Sequence, residues 1–204
     1  MIPTLEALER LREGNRRFVE GTRQTTAERP TDVSSQAPFA IILGCSDSRV
    51  PTEIVFDQGP GDLFVIRVAG NIVASSQIGS VEFAAGQLGV RLVVVLGHTW
   101  CGAVLATLQE LARPVENRSP NLRSIVDRIR PAVAPLMEIE PKPNSEYISR
   151  QAIRANIRAS ADQLRHGSEI LEQLIHQDEL LVVGAEYSLE TGEVDFFDGL
   201  PEAH

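Results

Sequence analysis

The sequence predicts an α/β domain with a central, mainly parallel sheet flanked by helices. Two observations carry this. Four apolar runs, at 39–44, 63–68, 92–96 and 180–185, have the length and aliphatic content of buried strands. Segments of helical period separate them, and strands alternating with helices argue parallel pairing through crossovers. At 204 residues, with 43% hydrophobic and 23% charged residues, the chain suits one domain over 1–204, in which 1–37 form a helical arm and linker.

In chain order, Leu5, Leu8, Leu11, Asn15, Phe18 and Val19 follow helical spacing between a Pro3-Thr4 start and a Gly21 stop. The polar stretch 22–37 has no apolar period. The helix ahead of it either folds back on its own sheet or packs on a second subunit, and the residues leave both open. Strand 1 is 39–44, 52–56 adds a short helical turn, and 57–62 is dense turn chemistry. Strand 2 is 63–68. Ser75 or Ser76 caps the next helix, which carries Ile78, Val81, Ala85 and Leu88 to a Gly89 stop. Strand 3 is 92–96, and a helix begins near Cys101. Prolines recur over 112–144 around a short helix at 121–129. A long helix at 145–164 precedes a break at His166-Gly167 and a further helical turn. Strand 4 is 180–185, and 187–197 reads as a hairpin into an edge strand, turning at Glu190-Thr191-Gly192.

The chain has two cysteines, and each follows a strand: Cys45 opens Cys45-Ser46-Asp47-Ser48-Arg49, and Cys101 closes His98-Thr99-Trp100-Cys101-Gly102. Taken singly, a Cys ending a buried strand is as a rule a small core residue. The pairing of His98 with Cys101 over a turn, and the arrival of both segments from strand ends, favour one metal site. A redox dithiol would more often place both cysteines in one segment. Cys45, His98 and Cys101 form a Cys2His set, which on zinc leaves a position open and so reads as catalytic. Gly102 adds a backbone N–H at a helix start, where an oxyanion can bind.

These two motifs, CSDSR and HTxCG, resemble those of the β-class carbonic anhydrases. The similarity is clearest from Gln36 to Gly102, and the double motif is highly specific. The resemblance implies a sheet of order 2-1-3-4 with an antiparallel fifth strand, which puts a switch point between strands 1 and 3. It implies one Zn2+ per chain on Cys45, His98 and Cys101, and an Asp–Arg dyad of Asp47 and Arg49. The activity implied is reversible hydration of CO2 to bicarbonate by a zinc-bound hydroxide that the dyad holds. Gln36 falls where the constitutively open subgroup has a substrate-binding glutamine, and Phe64, Ala69 and Phe83 fall on the apolar wall that receives CO2. A second subgroup has an allosteric bicarbonate pocket of Trp, Arg and Tyr. Arg67 and Tyr187 match two of its positions, but Ile42 stands where the Trp would be, so the open subgroup is expected. The resemblance also implies a homodimer or higher homo-oligomer, with the amino-terminal helix embracing its neighbour.

Net charge is −9 with a pI near 5.0, which disfavours nucleic acid and anionic membrane surfaces as partners. No apolar run approaches the ~20 residues that span a bilayer, and the amino terminus lacks the pattern of a secretory signal. A cytoplasmic enzyme is expected. His166, His176 and His204 lie outside the motifs and do not identify a proton shuttle. Trp100, the one tryptophan, is expected to pack under the zinc loop or at a subunit contact. Two other readings keep the zinc: hydrolysis of COS or CS2, and a zinc protein without hydratase activity. Asp47, Arg49 and Gln36 argue against the last.

Overall fold

The computed structural model describes residues 2–25, 33–112, 119–140 and 144–201. Part of the expected linker and His204 lie outside them. Five strands form one sheet of order β2-β1-β3-β4-β5: β1 (Ala40–Gly44), β2 (Leu63–Arg67), β3 (Leu92–His98), β4 (Leu181–Tyr187) and β5 (Val194–Asp198). The first four run parallel and β5 is antiparallel to β4. This is the expected order, with its switch point between β1 and β3.

Alternation along the strands builds two cores. Ile41, Leu43, Val93 and Val95 face one side with Cys45, against α3 (Ser75–Gln87), α4 (Gly102–Ala112), α5 (Pro120–Val133), α6 (Ser145–His166) and α7 (Glu169–His176). Ala40, Ile42, Leu92, Val94 and Leu96 face the other, with α1 (Thr4–Val19) and α2 (Thr52–Val55). Every residue of β1 and β3 is buried, as a parallel sheet covered on both faces requires. No helix among the described residues is long and apolar enough to cross a membrane.

Several boundaries differ from the sequence expectation. Strand β3 continues through His98 because its ladder with β4 continues, pairing His98 with Tyr187. No side chain caps α3: Ala74 is its N-cap, and Ser75 and Ser76 lie in its first turn. Helix α5 runs on to Val133 because Val126, Ile129 and Val133 extend its apolar face into the core. The break at Gly167 is as expected, and the Ser168 side chain caps α7 by accepting from the Leu171 amide.

Of the two dispositions open to the first helix, the structure shows α1 on its own sheet. Ala7, Leu8 and Leu11 are buried there, whereas Leu5 is exposed. Asn15 ties the helix down. Its amide donates to the carbonyls of Val55 (3.2 Å) and Gly192 (2.9 Å), and its oxygen accepts from the Val194 amide (2.9 Å).

Helix α6 seats directly on β3 and β4, beside the second motif. A Cβ on Gly97 would lie 2.5 Å from Ile157 Cδ1, and one on Gly184 would lie 2.9 Å from Ile157 Cγ2. The two glycines therefore admit Ile157 between β3 and β4 at a distance that no side chain would allow. The next residue back, Asn156, is buried and donates to the Gly70 carbonyl at 2.8 Å. That bond reaches the turn beside Cys45.

Candidate metal centre

Cys45 follows the last residue of β1, His98 ends β3, and Cys101 immediately precedes α4. All three are buried, and their ligand atoms lie within 4.8 Å of one another. Neighbouring parallel strands ending at the same edge bring this about: β1 and β3 pair from Ile41↔Val93 to Gly44↔Leu96.

The histidine is set up as a donor. Its Nδ1 is 2.8 Å from the Thr99 carbonyl, which can only accept, so Nδ1 carries the proton. Nε2 is then left with a bare lone pair. It is buried and has no hydrogen-bond partner among the described residues, an arrangement that costs stability unless something coordinates there.

The sulfurs are provided for in the same way. The Gly70 amide donates to Cys45 Sγ at 3.3 Å, and the Ala103 and Val104 amides in the first turn of α4 point at Cys101. Amides at a helix start favour a thiolate. Hydrogen bonding from Cys101 holds the Cys45 thiol well below the usual range, with burial opposing; the same contact, together with burial, pushes Cys101 up. Two thiolates this close repel each other unless a cation lies between them. Neither is in a disulfide. Two thiols, an unpaired imidazole nitrogen and a shell of amides fit a divalent, thiolate-loving metal such as zinc.

Asp47 stands at the edge of this cluster, with Oδ2 3.8 Å from His98 Nε2. Arg49 grips it as a fork: Nε donates to Oδ1 (2.9 Å) and Nη2 to Oδ2 (2.7 Å), while the Arg49 amide also donates to Oδ1 (2.9 Å). These bonds hold the Asp47 carboxyl well below the usual carboxylate range.

Known proteins can be set beside this geometry. A family model described as carbonic anhydrase matches residues 40–194. A carbonic anhydrase of Mycolicibacterium smegmatis is 36% identical, over 91% of this chain and 89% of its own length. Carbonic anhydrase 2 of Mycobacterium tuberculosis is 37% identical, over 89% and 87%. The solved β-carbonic anhydrase CcaA superposes with a TM-score of 0.74 at 25% identity, over 98% of this chain and 91% of that one. The chain belongs to the β-carbonic anhydrase family. It is therefore a carbonic anhydrase enzyme, and zinc is the metal that β-carbonic anhydrases use.

Of the remaining residues singled out from the sequence, Ala69 and Gly102 adjoin residues of the cluster. Ala69 opens the turn whose Gly70 amide meets Cys45. Phe64 packs on the core cluster that contains Cys45 and Cys101, and its ring centroid is 6.3 Å from that of Phe83. Phe83 itself is exposed, as is Gln36 on the segment leading into β1. Gly102 starts α4 next to Cys101 and is open to solvent. Trp100 is not packed beneath the loop: it is 53% exposed, and its indole N–H donates to Glu190.

The family resemblance matches Arg67 to one position of an allosteric pocket that Ile42 leaves incomplete. In the structure this arginine braces the first motif, donating from Nε to the Cys45 carbonyl (3.0 Å) and from Nη2 to the Asp47 carbonyl (2.6 Å). Tyr187 is buried near Phe18, their centroids 6.4 Å apart. The signal that could have found Arg67 was its position at the end of β2, in register with Gly44.

Proposed function

We propose that the chain hydrates CO2 reversibly to bicarbonate, with zinc held by Cys45, His98 and Cys101 and proton handling by Asp47 under the control of Arg49. The observation that carries this is the bare His98 Nε2, buried among two sulfurs and 3.8 Å from Asp47 Oδ2. Zinc, when bound, supplies Lewis acidity that makes a nucleophile from water near neutral pH.

Everything else is the work of the chain. Among the described residues, Oδ1 of Asp47 accepts from the amide and Nε of Arg49, whereas Oδ2 accepts from Nη2 alone and lies 3.8 Å from His98 Nε2. Oδ2 is thus the atom that takes a hydrogen bond from the attacking water and orients its lone pair toward CO2. Arg49 keeps the carboxylate from swinging onto the metal, which supports assignment to the open subgroup. The pair is its own constraint: Arg49 is largely exposed, so the contact adds little to stability and its value is positional. Arg67 and Asn156 fix the backbone on which Cys45, Asp47 and Gly70 sit.

For substrate, Phe64, Ala69 and Phe83 supply the apolar wall for CO2. The Gln36 amide and the Gly102 N–H are donors for oxygens on which charge develops. A homodimer or higher homo-oligomer and a cytoplasmic setting belong to the same reading: Leu5 and Phe83 leave apolar surface exposed, and two unpaired cysteines suit a reducing compartment. Stopped-flow CO2 hydration by the zinc-loaded protein tests the reading. Robust turnover already present near neutral pH is expected. Stoichiometric zinc with no turnover at any pH would favour a non-catalytic zinc protein.

A further inference from the structure

Between the ligands His98 and Cys101 lie only Thr99 and Trp100, and the backbone there is under strain. Trp100 has φ +59°, the left-handed region that a bulky residue rarely adopts. Burial does not hold it there, since the indole is 53% exposed. One carboxylate, more than ninety positions from Thr99 in none of the motifs, grips both residues. Glu190 Oε2 accepts from Thr99 Oγ1 at 2.8 Å, and Glu190 Oε1 accepts from the Trp100 indole N–H.

The turn between β4 and β5 is built to present that carboxylate. The Ser188 amide donates to the Glu193 carbonyl (2.8 Å), and the Gly192 amide donates to the Ser188 carbonyl (2.9 Å). Ser188 Oγ accepts from the Thr191 amide (3.1 Å) while donating to Glu190 Oε2 (3.2 Å). Thr99 is held from two further directions: its amide donates to the Tyr187 carbonyl (3.0 Å), and its hydroxyl accepts from the Leu189 amide (3.0 Å). Its own carbonyl receives His98 Nδ1. A continuous path therefore runs from the Glu190 carboxylate through Thr99 to the imidazole, and through Trp100 to Cys101.

We propose that Glu190 is a positioning residue for the metal, holding the strained Thr99-Trp100 link so that His98 Nε2 and Cys101 Sγ converge with Cys45. The inference rests on the zinc site proposed above. It assigns to the β4–β5 turn a part in zinc retention that neither motif contains. Partners that orient metal ligands typically change affinity 10–100-fold when removed. Glu190 acts through an intervening residue, so the lower end of that range applies.

The test compares zinc-loaded wild type with Glu190→Ala, Glu190→Gln and Glu193→Ala. Two readouts are used: the rate of zinc transfer to a chelator, and the visible absorption of the Co(II)-substituted proteins. Glu193 is the control, because it lies on the same turn and its carboxylate accepts from Thr191 instead. Glu190→Ala is expected to release zinc about tenfold faster or more and to shift the Co(II) bands, with its thermal transition little changed. Glu190→Gln should lie between, since its amide can accept from one loop donor but turns an NH2 on the other. Should the alanine variant not fold, the near-isosteric glutamine variant carries the comparison. Wild-type release rates and Co(II) spectra in the Glu190 variants would overturn the proposal, as would an equal effect from Glu193→Ala. Failure of wild type to take up zinc would overturn the metal site itself, and this inference with it.

Discussion

Cys101→Ala is expected to empty the metal site and lower CO2 hydration by more than about 100-fold, beyond the range typical of changes outside the ligand set. Cys101 is one of two sulfurs in the cluster, and it sits where the first amides of α4 favour a thiolate. Without it Cys45 and His98 remain, a two-donor set that leaves zinc open to loss by dialysis. Cys101→Ser separates chemistry from packing, because a hydroxyl still fills the space and still meets the Ala103 and Val104 amides. It is expected to keep the thermal transition near that of wild type while losing zinc. Zinc content after dialysis, read beside stopped-flow rates, decides the matter. Full activity in a zinc-free variant would contradict this role.

Asp47→Ala is expected to behave differently: zinc stays and the rate falls. A positioned general acid–base group contributes about 10²–10⁴-fold, or roughly 3–5 kcal/mol of transition-state stabilisation. The proposed ligand set does not include Asp47, whose Oδ2 lies 3.8 Å from His98 Nε2 and accepts from Arg49 Nη2. Arg49→Ala should also slow hydration, since the freed carboxylate can reach the metal. Little stability should be lost with it, because exposed pairs are worth about 0–1 kcal/mol. The diagnostic pattern is thus a lowered kcat with stoichiometric zinc in Asp47→Ala. Loss of zinc from that variant would make Asp47 a ligand and reverse the assignment of the open subgroup.

Much of the site was legible because its signals are short-range. Cys45 and His98 each end a run whose apolar content marks it as a buried parallel strand, and parallel strands deliver their ends to one edge. The parity that sends Ile41 and Leu43 toward α4 and α6 sends Cys45 there too. The contacts that escaped sequence reading are long-range and made by ordinary surface residue types. Glu190-Thr191-Gly192 reads as turn chemistry, and nothing in it announces a bond to a tryptophan in the turn that follows β3. Arg67 depends on the β1–β2 register, which places it beside Gly44 and within reach of two loop carbonyls. Asn156 depends on how closely α6 can approach, and that is set by Gly97 and Gly184 rather than by α6 itself. Leu5 follows the helical pattern yet is exposed, because it lies off the helix face that Ala7, Leu8, Leu11 and Asn15 bury, while Ile2, nearer the amino terminus, still packs on that core.

A crystal structure of the zinc-loaded protein near neutral pH, with the metal located by anomalous scattering at the zinc edge, tests the central claim most directly. Zinc on Cys45 Sγ, His98 Nε2 and Cys101 Sγ, with Asp47 still paired to Arg49, is the expected result. An Asp47 carboxylate bound to the metal, or a metal held by any other set of residues, would contradict it.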